Sequence, residues 1–191
     1  MSLSFLSDQL SNLGPATKEN RDRVANIVLE TPSLFEELVF LTFQVEDKIS
    51  IKASWILEWI TTHHGIQHLY PHLTSFTEGI SILQFDSAIR PCAKICEQLA
   101  IAHDIGNHQQ LTSTHINEIV ETGFEWLITP QKIAVRAYTM NMLFIFGKNI
   151  EWIHSELKHL ISSKIIHESK GCEARGKYVL KAIEKHQNST R

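Results

Sequence analysis

The sequence predicts an all-α chain of short helices in consecutive pairs, and three observations carry that reading. Apolar residues recur near a 3.6-residue period in segment after segment. Caps, prolines and glycines divide those segments at ordinary helical lengths. Neither a strand-like alternation nor an Asn-Gly hairpin signal interrupts them.

Taken in order, LSFLSDQLSNL (3–13) has a helical apolar period and stops at Gly14-Pro15. Thr17 is placed to cap KENRDRVANIVLE (18–30). Thr31-Pro32 supplies an N-cap followed by proline at the first helical position, where its missing N–H is harmless, and opens SLFEELVFLTF (33–43). Asp47 is expected to cap KISIKASWILEWITTHH (48–64), which ends near Gly65. A broken helical stretch follows, interrupted around Pro71 and reaching about Ile82. Asp86 or Ser87 opens a helix that runs to Gly106. GNHQQLTST (106–114) is the most polar loop, and Thr114 is expected to cap HINEIVETGFEWLI (115–128). Thr129-Pro130 repeats the cap-and-proline device before QKIAVRAYTMNMLFIFG (131–147). Two further helices, about 151–166 and 171–186, precede the tail NSTR.

Composition bounds the class. With 191 residues and 43% hydrophobic content, the chain can bury one sizeable core but not several ordinary ones. A net charge of −3 gives no general attraction to nucleic acid or to an acidic membrane. Three cysteines, Cys92, Cys96 and Cys172, form no disulfide framework, which points to a reducing compartment. The opening MSLSFLSDQLSNLGP lacks the basic and apolar regions of a signal peptide, and no apolar run is long enough to cross a membrane. A cytoplasmic protein without a membrane segment is expected.

The second helix of each pair carries an early basic residue inside an apolar run: Lys52, Arg90, Arg136 and Arg175, at intervals of 38, 46 and 39 residues. Asp47 and Asp86 stand at the preceding turn in the first two units, whereas Gln131 and Ser169 stand there in the last two. Spacing and charge order resemble HEAT and armadillo repeats, which have a period of about 40–47 residues. The resemblance covers roughly residues 30–187. It implies a right-handed α-α superhelix of about four helix pairs, residues 31–187, behind an N-terminal helical cap, residues 1–30, in one domain spanning 1–191.

A cation on a helix apolar nearly all round needs a partner. Lys132, Arg136 and Thr139 share one narrow stripe, and Arg90, Lys94 and Glu97 share another. One reading makes Arg90 and Arg136 a structural ladder, pairing acids or helix-end carbonyls. The other places the stripes on a concave surface that holds an acidic partner. Lys52, Trp55 and Trp59 share one side of their helix, where indoles beside a cation serve either the core or a planar ligand. The candidate binding residues are therefore Lys52, Trp55, Trp59, Arg90, Lys94, Lys132 and Arg136. His64, His68 and His72 have metal-like spacing but no accompanying carboxylate, and Cys92, Cys96 and His103 lack a fourth ligand. No metal or other cofactor is expected. Motifs for nucleotide loops, nucleophile elbows and zinc proteases are absent, and no catalytic residue stands out.

The chain also resembles a group of small bacterial helical-repeat proteins, some of which carry the name adenylosuccinate lyase. That likeness implies lyase-like chemistry. The lyases have a loop resembling S-S-x-M-P-x-K-x-N-P, for which this sequence has no counterpart. A second resemblance is to HEAT-like DNA glycosylases, which place Trp, Asp and Arg on a basic concave surface. Trp55, Trp59, Asp86, Arg90 and Arg136 supply those residue types, at spacings that match no motif. The leading expectation is a non-enzymatic module whose inner helices bind a protein or an acidic ligand. Nucleic-acid binding or base removal is the alternative, and lyase chemistry comes third.

Overall fold

A computed structural model describes residues 4–15, 17–106 and 111–189. Among them the chain forms ten α-helices and two 3-10 helices, and no strand. Residues 107–110 of the polar loop expected at 106–114 and the last two residues of the tail lie outside the described residues. The helices gather into two compact units, one up to Ile95 and one from Cys96 onward.

The first unit holds α1 (Phe5–Ser11), α2 (Lys18–Glu30), α3 (Pro32–Thr42), α4 (Ile49–His63), a 3-10 segment (Ile66–His72), α5 (Leu73–Ile80) and the first half of α6 (Asp86–Asp104). Its centre is α4, which packs against α1, α2, α3 and the 3-10 segment. Ile56, Leu57 and Ile60 of α4 are fully buried, as are Leu10, Val28, Leu38 and Phe76 around them. Helix starts follow the chemistry of their caps. Ser4 and Thr17 accept from the N–H groups of Ser7 and Asn20 at 3.1 and 3.3 Å. Pro32 occupies the first position of α3, although the Thr31 hydroxyl makes no capping bond. Asp47 accepts from the Ile49 N–H at 2.9 Å, while Lys48 takes the N-cap position of α4. Gly65 ends that helix at φ 111°, a conformation that favours glycine.

The second unit holds the rest of α6, α7 (Ser113–Ile128), α8 (Ile133–Gly147), α9 (Glu151–Ser163), a 3-10 turn (Ile165–His167) and α10 (Lys170–Ser189). Here α8 is the hub, packing against α7, α9 and α10. Met140, Met142 and Leu143 of α8 are fully buried, with Ile153, Leu157 and Val179 around them.

Two helix starts differ from expectation. Thr112, not Thr114, caps α7, because His115 at the third helical position completes a reciprocal box with it. α8 begins at Ile133 rather than at Pro130. Thr129 instead closes α7: its N–H and its hydroxyl both donate to the Glu125 carbonyl, at 3.0 and 2.7 Å. No helix among the described residues is long and apolar enough to cross a membrane.

Candidate functional site

Five of the seven candidate side chains, Lys52, Trp55, Trp59, Arg90 and Lys94, lie in the first unit on α4 and the start of α6. Lys52 is half-buried, and its ammonium donates to the Ser11 carbonyl at the end of α1 (2.8 Å). A cation there suits the negative end of a helix. The half-buried Trp55 donates its indole N–H to the Ser87 carbonyl at 3.1 Å. Ser87 stands four residues before Pro91, which lies inside α6 and has no N–H to offer that carbonyl. Trp55 supplies the missing donor.

Trp59 is more enclosed. Its N–H donates to Asp22 Oδ1 of α2 at 2.7 Å, the Arg21 guanidinium stands 4.1 Å from its ring, and His63 packs on it at 3.8 Å. Trp59 thus joins α2 to α4. On α6, Arg90 and Lys94 stand one turn apart. Lys94 pairs with Glu58 of α4. Arg90 is exposed and makes no ion pair among the described residues. The face therefore offers one open guanidinium, one partly open indole and an ion pair. Such a surface suits recognition of a charged or flat group.

The remaining two candidates lie in the second unit, and they part company. Lys132 is exposed at the N-cap of α8. Arg136, one turn further on, is 3% exposed. Its guanidinium donates to the carbonyls of Leu127 (2.6 Å), Thr129 (3.0 Å) and, more weakly, Trp126 (3.5 Å). Nε stands 2.5 Å from Glu168 Oε2. These bonds help close the C-terminus of α7, whose last carbonyls have no partner within the helix. Thr129 holds the Glu125 carbonyl, Arg136 those of Trp126 and Leu127, and Lys164 that of Ile128 at 2.6 Å. Both terminal guanidinium nitrogens of Arg136 thus donate to carbonyls within the fold, while Nε is ion-paired with Glu168 but makes no hydrogen bond. Arg90, which one reading made a ladder residue and the other part of an open surface, is exposed to solvent.

Sequence reasoning missed Glu168, the acid that faces Arg136. It precedes Ser169, where the repeat pattern looks for an acid, so a one-residue tolerance would have found it. Also missed was His154 of α9, whose burial no local pattern announced. Among the described residues no group of three or more His, Cys, Asp or Glu is placed to hold a metal ion. The three cysteines form no disulfide among the described residues and are buried.

The fold defines the class: an all-helical chain. The chain matches no protein-family model, no curated protein and no solved structure.

Proposed function

We propose that the chain is a non-enzymatic, HEAT-like interaction module, a right-handed superhelix of about four helix pairs that holds a protein or an acidic ligand on its inner helices. The observation that carries this reading is Arg90. An exposed guanidinium with no acid partner among the described residues stands on a largely buried helix, one turn from Lys94 and three residues from the Ser87 carbonyl that Trp55 holds. An acidic side chain or carboxylate of a partner completes that guanidinium, and the Trp55 edge gives it an apolar neighbour. Rigid display is the mechanism: α4 and α6 fix the spacing of Trp55, Arg90 and Lys94, so little ordering cost falls on binding.

Pull-down from the native host with the wild-type chain and with Arg90→Glu tests this. A stoichiometric protein retained by the wild type and lost with the charge reversal is the expected result. Retention of duplex DNA instead, falling steeply with salt, turns the same cation to phosphate and assigns the chain to nucleic-acid binding.

A further inference from the structure

The second unit contains a cleft of about 380 Å³ lined by Gly147, Lys148, Glu151, His154 and His186, among others. His154 is only 2% exposed. Its Nε2 lies 2.8 Å from the Phe144 carbonyl oxygen. A carbonyl only accepts, so Nε2 carries the proton and Nδ1 of the neutral ring keeps a lone pair. Three contacts fix the ring. It stacks on Phe144 at 5.5 Å, meets His186 edge-on at 5.6 Å, and lies against Gly147, where a Cβ would stand 2.1 Å from its Cδ2. Nδ1 has no hydrogen-bond partner among the described residues, and His154 lines the cleft.

Charged groups of both signs surround the ring. From the end of α8 comes Lys148, 2.5 Å from Asp104 of α6 and 5.5 Å from the Phe144 ring. Lys158 of α9 and His186 of α10 add to the field at His154. No side chain caps α9, where Ile150 takes the N-cap position, so its first N–H groups lack an intrahelical acceptor. Glu151 is the carboxylate on the wall.

We propose that this cleft binds a small oxyanion that keeps one acidic proton, hydrogen phosphate or a phosphomonoester, with His154 Nδ1 accepting that proton in a hydrogen bond while Lys148 and the start of α9 face its charge. A neutral imidazole acceptor has nothing to receive from a fully ionised oxyanion, and Glu151 repels one. His154 Nδ1 does accept from an anion that still carries a P–OH. The volume sits at the small end of ligand cavities, about 300–1,000 Å³.

Titration of the whole chain with inorganic phosphate near neutral pH, and with sulfate at matched ionic strength, tests the assignment through the His154 imidazole resonances. Phosphate is expected to shift them saturably, and sulfate to bind at least tenfold more weakly. His154→Gln keeps a donor for the Phe144 carbonyl and removes the Nδ1 acceptor, and it should lose phosphate affinity by a similar factor. Glycerol phosphate distinguishes the two sources. A monoester loses its last proton with a pKa of about 6 and weakens as pH rises, whereas inorganic phosphate keeps a P–OH. Sulfate binding as tightly as phosphate, no saturable shift with either phosphate compound, or unaltered binding by His154→Gln would overturn the site. The comparison of phosphate with sulfate needs no variant and decides the matter even if His154→Gln does not fold.

Discussion

The indole N–H of Trp55 donates to the Ser87 carbonyl at 3.1 Å, taking the place of the backbone N–H that Pro91 removed from α6. A proline inside a helix ordinarily leaves the carbonyl four residues back without its helical partner. Here a side chain from α4 fills that vacancy, and a tryptophan whose sequence context fits either the core or a planar ligand serves the fold.

Trp55→Phe keeps most of the ring and removes the donor, so it should cost about 1 kcal/mol, the usual net worth of one hydrogen bond. Pro91→Ala restores a backbone donor to Ser87. In that background the Trp55→Phe penalty should shrink toward zero, and urea unfolding of the double-mutant cycle measures the coupling. Additive losses would mean that the indole N–H is not replacing the proline's missing bond.

Arg136→Ala leaves the α7 carbonyls and Glu168 without their cation in a buried site. The expected loss is about 3–5 kcal/mol, a large share of a domain's stability. Lys181→Ala, on the exposed side of α10, should stay within about 0.5 kcal/mol. Thermal or urea unfolding compares them, and equal small effects would remove Arg136 from the structural role assigned to it.

His154 gives stability a pH dependence. Burial is the main cause that holds its imidazole below the ordinary 6.5, with the positive charges of His186, Lys148 and Lys158 acting the same way and the Phe144 carbonyl opposing them. The unfolded chain therefore takes up a proton at higher pH than the native one. Stability contributed by the neutral ring is complete above the unfolded value and declines as pH falls from about 6.5 toward the native value. Urea midpoints measured across that window should fall more in the wild type than in His154→Gln. Parallel curves for the two proteins would assign the acid sensitivity to other groups.

Cys92 and Cys96 are fully sealed from solvent and Cys172 is 2% exposed. Burial pushes the Cys92 thiol far above its usual range, which suppresses the reactive thiolate. Labelling of native protein with a thiol reagent should be slow at all three sites and should accelerate with urea to the rate of unfolding. Fast labelling of Cys92 in the native state would show that α6 opens locally.

Much of the helical framework was legible because its causes are local. Thr17 capping α2, Pro32 opening α3 and Gly65 ending α4 depend on residues within a turn of one another. Where two local readings competed, as with Thr112 and Thr114, the partner three residues on decided between them. Thr129-Pro130 misled for the complementary reason: the threonine hydroxyl also fits the end of the helix before it, and that end was the one it closed.

By itself the sequence determined that this chain is helical, where most helices begin and end, and which residues share an angle on each helix. Tertiary structure decided what lies opposite that angle. Arg90 and Arg136 both occur early in apolar helices, yet one guanidinium is open to solvent and the other is enclosed by three carbonyls and Glu168. Helical periodicity fixes direction about an axis, but a charge is satisfied by whatever neighbour the packing brings within hydrogen-bond reach. The same holds for Trp55, which meets a carbonyl freed by a proline 36 residues further along the chain, and for His154, which is buried because Gly147 leaves room for its ring.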